Sequence, residues 1–393
     1  MESILIEQLP ASRRSLRLAI VTETYPPEVN GVALTLARFV DGLRERNHEI
    51  QLIRPRQDPA EQAVQSFGFD EVLTGGMPIP RYPDLKMGLP AKRVLVKQWL
   101  LRRPDLVHIV TEGPLGWSAL QAARKLKIPV CSDFRTNFHT YSQYYGIGWL
   151  KKSIVDYLRK FHNNTLLTMV PTEHMRAELS ATGFSNLCVV ARGVDTQLFN
   201  AKRRSESLRR EWGVTADTLV LLHVGRLATE KNLTLLTTAF NAIRQRQPRI
   251  RLVLVGEGPE ETALRGRLPD AIFTGTRHGE DLAAHYASSD LFLFPSLTET
   301  FGNVTLEAMA SGLPLVAYDY AAAAQHVQHG MNGFLAAYGN TDEFTTLAGD
   351  LAALYSHEPE KFQAMGRNAR LTTESLDWKY VVKQLETLLL SIA

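Results

Sequence analysis

A short apolar segment, followed by a polar loop and then a helical pattern, constrains this 393-residue chain more than any other feature. Residues 291–294 read Leu-Phe-Leu-Phe and are closed by Pro295, which is typical of a buried parallel strand. After Gly302, the residues from Asn303 to Ala310 suit a helix, with Asn303 as the predicted N-cap. A strand, a loop and a helix in this order predict a parallel α/β sheet.

Two carboxylates occupy this stretch, Glu299 in the predicted loop and Glu307 one turn into the predicted helix. A helix start offers free N–H groups and the positive end of the helix dipole, which bind anions. The carboxylates are therefore better suited to accept hydrogen bonds from hydroxyl groups. A ligand that carries both phosphate and hydroxyls fits every part of the stretch, and a nucleotide sugar is such a ligand.

The same alternation of strand and helix runs through the rest of the chain. Residues 17–23 predict a first strand, 32–46 a helix and 49–53 the next strand, which is the rhythm of a doubly wound sheet. Residues 55–90 are rich in Pro and Gly, and we expect irregular loops and one strand there. Because 393 residues exceed one ordinary core, two domains are expected.

A second candidate site follows the predicted strand 218–224. Arg226 lies at the end of this strand, and Lys231 is predicted to begin the following helix. Five residues apart across one loop, the two cations can converge on one anionic group. Charge-assisted hydrogen bonds of this kind contribute roughly 1.5–3 kcal/mol each, more than an exposed ion pair.

These motifs together resemble those of the large family of retaining glycosyltransferases that carry a Glu-x7-Glu signature. Glu299 and Glu307 match that signature, and Arg226 and Lys231 match the diphosphate-binding motif, in a resemblance that runs from Arg17 to the C-terminus. It implies the α/β fold called GT-B, with two doubly wound Rossmann-like domains facing across a cleft. The expected division is a loose leader over 1–16, an acceptor-side domain over 17–196, a donor-nucleotide-binding domain over 197–375, and a C-terminal helix over 376–393 that returns to the first domain.

The resemblance also implies roles for individual residues. Arg226 and Lys231 neutralise the diphosphate as it leaves, Glu299 lies near the donor sugar, and Glu307 accepts hydrogen bonds from the ribose hydroxyls. Further positions are expected to line the donor, mostly through main-chain groups: Gly31, Gly225, Gly256, Thr276, Phe301, Gly302, Asn303 and Val304.

Two departures from the family pattern leave parts of the site open. Many relatives carry an aromatic-His-Thr after the strand that here ends at Phe134. This chain offers Arg135 in one register and His139 in another, and the sequence does not decide between them. Where relatives often have paired glycines and a glutamate, this chain has Asp319 followed by Tyr and four alanines, so the donor sugar is not transferable.

No Asp-x-Asp motif and no His/Cys cluster with ligand spacing occurs in the sequence, so neither a metal site nor a cofactor is expected. The predicted function is transfer of a hexose from a UDP- or GDP-sugar to a hydroxyl acceptor, with an α-linkage formed. The nearest resemblance is to bacterial glycolipid-forming and α-mannosyl transferases, which favours a lipid acceptor such as diacylglycerol. A polysaccharide or lipopolysaccharide α-mannosyltransferase and a non-catalytic nucleotide-sugar-binding protein remain alternatives.

Other classes fit poorly. A nicotinamide dehydrogenase needs Gly-x-Gly-x-x-Gly, and the segment from Gly256 lacks the third glycine. No dense basic stripe with interleaved aromatic residues supports nucleic-acid binding. Residues 1–200 nevertheless carry 25 Lys and Arg against 19 Asp and Glu. Two basic amphipathic helices are predicted there, over 91–103 and 149–162, either as ordinary surface helices or as contacts with an anionic membrane.

No apolar run approaches the roughly 20 residues that a membrane span needs. Cys131 and Cys188 lie in apolar, strand-like contexts, which predicts buried, reduced thiols. The predicted location is therefore the cytoplasm, with contact at the inner face of the membrane as an extension of that prediction.

Overall fold

The structure is a computed structural model that describes residues 14–28, 30–79, 82–135 and 151–393. The chain divides into two compact units. The first comprises residues up to Asp133, Lys160–Thr168 and Gln384–Ala393, and the second comprises Phe134–Arg159 and Met169–Lys383.

The first unit is built around a sheet with the strand order β8-β7-β1-β2-β4-β3, in which only β3 pairs antiparallel among these strands. The strands of the amino-terminal half are β1 (Arg17–Val21), β2 (Glu49–Pro55), β3 (Gln65–Ser66), β4 (Phe69–Thr74), β5 (Gly76–Ile79), β6 (Tyr82–Gly88), β7 (Leu106–Ile109) and β8 (Val130–Asp133). The helices described up to His162 are Gly31–Glu45, Lys92–Leu101, Pro114–Leu126 and Lys151–His162.

Four strands lie within residues 55–90, where one was predicted. The hairpin of β5 and β6 forms a separate two-stranded sheet, and Met77 and Pro78 on it are exposed. Gly and Pro interrupt the sequence of this hairpin at Gly76, Pro78, Pro83 and Gly88, so it shows no strand periodicity and was not predicted. The boundary that was predicted for the loose leader, over 1–16, also lies too far along the chain. Leu16 is buried, and its main-chain N–H donates to the ring of His48 at 3.0 Å.

The second unit contains a parallel sheet with the strand order β13-β12-β11-β14-β15-β16. Its strands are β11 (Leu219–Val224), β12 (Ile250–Val255), β13 (Ile272–Gly275), β14 (Leu291–Phe294), β15 (Leu315–Tyr318) and β16 (Phe334–Ala336). The helices from residue 173 onwards are Glu173–Ala181, Glu206–Glu211, Leu233–Arg246, Glu261–Arg267, Gly279–Ser288, Asn303–Ala310, Ala321–His326, Thr341–His357, Pro359–Glu374 and Trp378–Ile392. β9 (Leu167–Val170) and β10 (Leu187–Val189) pair with each other.

Side chains on β11 point alternately into two apolar layers, because successive residues of a strand face opposite sides of its sheet. Val220 and Leu222 pack in one layer, and Leu219 and Leu221 pack in the other. The sheet of the second unit is therefore covered on both faces, as the near-continuous apolar strands predicted. Cys131 is buried as predicted, whereas Cys188 is only partly buried.

Candidate donor site

Four loops of the second unit follow parallel strands and therefore lie at one edge of its sheet. They follow β11, β12, β13 and β14, and they begin at Gly225, Gly256, Thr276 and Pro295. Parallel α/β sheets bind ligands at the carboxyl ends of their strands. The predicted donor-binding residues of this unit are thus gathered at the edge where such a site is expected.

Lys231 and Glu299 meet at this edge. The Lys231 ammonium donates a hydrogen bond to Glu299 Oε1, and their side chains are only 17% and 15% exposed. Ser296 Oγ donates to the same carboxylate oxygen at 2.8 Å, and the Tyr320 hydroxyl donates to the Glu299 carbonyl at 3.0 Å. Three groups therefore hold Glu299 in one position. Lys231 ends a 3₁₀ turn, Thr229–Lys231, and the prediction that it begins the following helix was wrong.

Asn232 explains that difference. It adopts a left-handed conformation with φ of 53°, which separates the 3₁₀ turn from the helix Leu233–Arg246. Asparagine tolerates this conformation better than most residues. Arg226 lies earlier in the same loop and is exposed, and among the described residues no acidic side chain pairs with its guanidinium.

The loops after β11 and β12 touch through main-chain atoms. A Cβ atom on Gly256 would lie 2.1 Å from the Gly225 carbonyl oxygen, and both glycines have positive φ. A Cβ atom on Gly258 would lie 2.3 Å from the Leu227 carbonyl oxygen. Any side chain at these two positions would push the loops apart. Thr276, in the next loop, is exposed, and its main-chain N–H donates to Glu257 Oε1 at 3.2 Å.

The helix Asn303–Ala310 has the predicted bounds, but its N-cap is Gly302, with φ of 88°, instead of the predicted Asn303. Gly302 has no side chain to accept from the first turn, so the N–H groups of Asn303 and Val304 receive no side-chain cap. Phe301, just before the cap, is buried. Arg192, which the sequence did not single out, places its guanidinium 5.9 Å from the centre of the Phe301 ring.

Glu307 is partly buried on this helix, and its Oε2 accepts a hydrogen bond of 2.9 Å from the Tyr286 hydroxyl. Removal from water raises the pKa of the Glu307 carboxyl to about 7, and the Tyr286 hydrogen bond opposes that rise. Tyr286 lies on the helix Gly279–Ser288, and the sequence did not predict it as a site residue. No local pattern marks it, since it is 21 residues from its partner.

His223 is a second buried group that sequence reasoning missed. Its Nδ1 lies 3.1 Å from the Leu293 carbonyl oxygen, and burial lowers its pKa to about 4. The ring is therefore neutral, with the proton on Nδ1, near neutral pH.

Gly31, Arg135 and His139 are the remaining predicted site residues. Gly31 is the first residue of the helix Gly31–Glu45 in the first unit, and Asn30 caps this helix by accepting from Val32 and Ala33. Arg135 is buried in the second unit. His139 lies outside the described residues, so the choice between Arg135 and His139 stays open. Across the described ranges, no three His, Cys, Asp or Glu side chains converge as a metal site would require.

Comparison with known proteins places the chain in a family. Residues 29–198 match the model described as Glycosyltransferase Family 4, and residues 218–353 match the one described as Glycosyl transferases group 1. The GDP-mannose-dependent alpha-mannosyltransferase of Mycobacterium tuberculosis is 33% identical over 377 residues, which cover 94% of this chain and 95% of that protein. The chain belongs to glycosyltransferase family 4.

A second relative and a solved structure are also similar to this chain. The alpha-monoglucosyldiacylglycerol synthase of Acholeplasma laidlawii is 26% identical over 399 residues, covering 96% of this chain and 97% of that protein. The sucrose-phosphate synthase of Thermosynechococcus elongatus superposes with a TM-score of 0.74 at 18% identity, covering 96% and 99% of the two chains. The fold of this family 4 glycosyltransferase is GT-B, which confirms the predicted fold class.

Proposed function

We propose that the chain is a retaining glycosyltransferase that transfers a hexose from a nucleotide sugar to a hydroxyl acceptor, forms an α-linkage and needs no metal ion. The Lys231–Glu299 pair supports this proposal most directly, because it sets a cation and a hydroxyl acceptor side by side at the strand ends. A nucleotide sugar presents both an anionic diphosphate and a polyhydroxyl ring, and each half of the pair suits one of them.

In this mechanism Lys231 and Arg226 carry the charge that develops on the departing diphosphate. Preorganised donors aimed at developing charge are the largest single contribution in many enzymes, and loss of one costs about 10²–10³ in rate. The N–H groups at Asn303 and Val304 add the positive end of a helix dipole. Glu299 accepts from the donor sugar, and Glu307 accepts from the ribose.

GDP-mannose is the donor that we place first, because it is named for the Mycobacterium tuberculosis relative. A glucose donor comes second, since the Acholeplasma laidlawii relative is named for a glucosyl product. That relative's name also supports diacylglycerol as the acceptor. A polysaccharide or lipopolysaccharide acceptor is the alternative, and a nucleotide-sugar-binding protein without turnover is the alternative outside the class.

The deciding experiment is a thermal-shift panel with GDP, UDP and ADP and their common sugars, without acceptor. A ligand at 100 times its Kd adds about 2.7 kcal/mol of stability, which such a panel detects. Transfer is then measured with the stabilising donor and diacylglycerol in vesicles, with and without EDTA, and the anomeric configuration is read by NMR. Full activity in EDTA and an α-product support the proposal. Binding without any turnover favours the non-catalytic alternative, and no binding at all overturns both.

Contact with an anionic membrane forms the second part of the proposal, and the helix Lys92–Leu101 is the best placed for it. This helix carries no acidic residue, and Lys92, Arg93 and Lys97 on it are exposed. Among the described residues none of these three cations has an acidic partner. Each cation near an anionic surface contributes about 1 kcal/mol.

Exposed apolar side chains accompany these cations. Val94 is 51% exposed on the helix, and Leu89 just before it and Met77 on the neighbouring hairpin are also exposed. The other basic helix, Lys151–His162, differs because it carries an acidic residue, Asp156, which pairs with Arg159. No described helix has the length and apolar content that crossing a bilayer requires. Attachment would therefore depend on surface side chains of the kind found on Lys92–Leu101.

A further inference from the structure

Tyr286 occupies a fully buried position on the helix Gly279–Ser288. Its ring packs edge-on against Phe199 and at a tilt against Phe292, with ring centres 5.6 and 5.9 Å apart. These contacts hold the ring firmly, so the position of its hydroxyl is determined by the core. That hydroxyl lies 2.9 Å from Glu307 Oε2.

The direction of this hydrogen bond follows from the two acidities. Burial and the neighbouring Glu307 carboxylate raise the pKa of the Tyr286 phenol well above its usual value, so the phenol keeps its proton. Tyr286 is therefore the donor and Glu307 Oε2 the acceptor. The other oxygen, Oε1, receives no side-chain hydrogen bond from the described residues and remains able to accept from a ligand.

We propose that Tyr286 is a positioning residue of the donor site, which orients Glu307 and keeps it ionised so that Oε1 can accept hydrogen bonds from the ribose hydroxyls. This inference rests on the proposed function, because it takes the ribose of the nucleotide to be the ligand of Glu307. It goes further by naming the group that makes this carboxylate a competent acceptor. It also predicts how nucleotide affinity depends on pH.

Nucleotide affinity is expected to depend on pH because the Glu307 carboxyl changes its protonation near neutral pH. Its pKa is raised to about 7 by burial, and a protonated carboxyl loses one of its acceptor sites. Nucleotide affinity should therefore fall as the pH is lowered through about 7. The Tyr286 hydrogen bond favours the ionised form, so its removal should shift this fall to higher pH.

Of the titratable groups on the neighbouring helices, Arg370 has other partners and His326 is uncharged near neutral pH. Arg370, on Pro359–Glu374, donates to the main-chain carbonyls of Thr196, Phe199 and Ala310. His326, on Ala321–His326, lies against the Phe301 ring, and burial lowers its pKa to about 4, so it carries no charge near neutral pH. Within the described part of the chain, burial and Tyr286 are the influences that set the acidity of Glu307.

The test measures the Kd of GDP and UDP by calorimetry from pH 6 to pH 9 for the wild type and for Tyr286→Phe. This substitution removes one hydroxyl and keeps the ring. For Tyr286→Phe we expect about tenfold weaker binding at pH 7 and a midpoint about one pH unit higher than in the wild type. Tyr355→Phe is the matched control, because its hydroxyl donates to the Ala216 carbonyl, and it should change neither quantity.

A double-mutant cycle with Glu307→Gln separates positioning from general structural damage. Glu307→Gln should bind weakly without the pH dependence, and adding Tyr286→Phe to it should change the affinity less than about twofold. If Tyr286→Phe does not fold, a fluorinated tyrosine at position 286 donates more strongly and should move the midpoint to lower pH.

The outcomes distinguish failure of the proposed function from failure of the inference about Tyr286. If the wild type binds neither GDP nor UDP at any pH, the proposed function fails. If the wild type binds one of them but Tyr286→Phe keeps its affinity and its pH midpoint, the inference about Tyr286 is overturned while the proposed function stands. A uniform loss of affinity with an unchanged midpoint also overturns it.

Discussion

Lys231 and Glu299 are 68 residues apart in the chain, yet they form a hydrogen-bonded ion pair in the second unit. Lys231 follows β11 and Glu299 follows β14, and these two strands are neighbours in the parallel sheet. Their meeting is thus a consequence of strand order. In the proposed mechanism, the diphosphate competes with Glu299 for the Lys231 ammonium, and a sugar hydroxyl replaces that ammonium at Glu299.

Lys231→Ala should lower kcat by about 10²–10³ while the protein still melts cooperatively. The loss follows because one preorganised cation no longer meets the charge of the leaving diphosphate. Initial rates with a saturating donor, together with a melting curve, check this. Lys202→Ala is the control, because Lys202 is an exposed lysine of the same unit. Near-full transfer by Lys231→Ala would show that Lys231 has no part in the chemistry.

Arg226→Ala should weaken the binding of nucleoside diphosphate by roughly ten- to a hundredfold, which is the value of one charge-assisted hydrogen bond. Stability should change by less than about 0.5 kcal/mol, since Arg226 is exposed. Calorimetric titration with GDP and UDP measures the first effect and denaturant unfolding the second. Arg249→Ala, at another exposed arginine, should leave both unchanged. Equal affinity in Arg226→Ala and the wild type would remove Arg226 from the site.

Glu23 in the first unit makes stability depend on pH. Burial raises the pKa of its carboxyl to about 7, although the main-chain N–H of Leu115 donates to it. A raised pKa means that the folded form binds the proton more tightly than the unfolded form. The stability that this proton binding contributes is fully present below pH 4.5, which is the pKa in the unfolded form. It is lost as the pH rises through about 7.

Glu23→Gln mimics the protonated carboxyl at every pH. Relative to the wild type, this variant should therefore gain stability between pH 5 and pH 8, by at most about 3 kcal/mol. Urea unfolding at both pH values measures the difference. Glu360→Gln, at an exposed glutamate, supplies the baseline. A stability difference that does not vary with pH would contradict the assignment.

Membrane contact should be sensitive to the apolar side chains beside the helix Lys92–Leu101. Leu89→Gln combined with Val94→Gln should reduce binding to vesicles that contain anionic lipid by about tenfold, because two exposed apolar groups are lost. Co-sedimentation with anionic and with neutral vesicles measures the effect. Leu371→Gln, at an exposed leucine of the second unit, is the matched control. If the wild-type protein does not bind anionic vesicles, the proposed membrane contact is wrong.

Sequence reasoning located the strands of the second unit because most of their residues are apolar, and because Gly or Pro marks the ends of β11, β12, β13 and β14. It therefore also located the loops that carry Arg226, Lys231 and Glu299. Local conformation was harder to predict. The left-handed Asn232 moves one helix start from the predicted Lys231 to Leu233, and Gly302 takes the cap position that was predicted for Asn303.

Tertiary partners were beyond the sequence for a different reason. Tyr286 becomes important only because its helix packs so that the hydroxyl reaches Glu307. Neither residue carries a local signal of the other, and an isolated buried tyrosine is usually part of a core. The hairpin of β5 and β6 was missed because Gly and Pro interrupt the alternation from which strands are recognised.

The main-chain contact between Gly225 and Gly256 has a consequence for redesign. An attempt to evolve this protein towards a different donor has to leave both glycines untouched, because even a methyl group at Gly256 would collide with the opposite loop. Diversity is tolerated at exposed neighbours such as Thr276, whose side chain is not wedged between the loops. A library that keeps both glycines would therefore contain a larger share of folded variants.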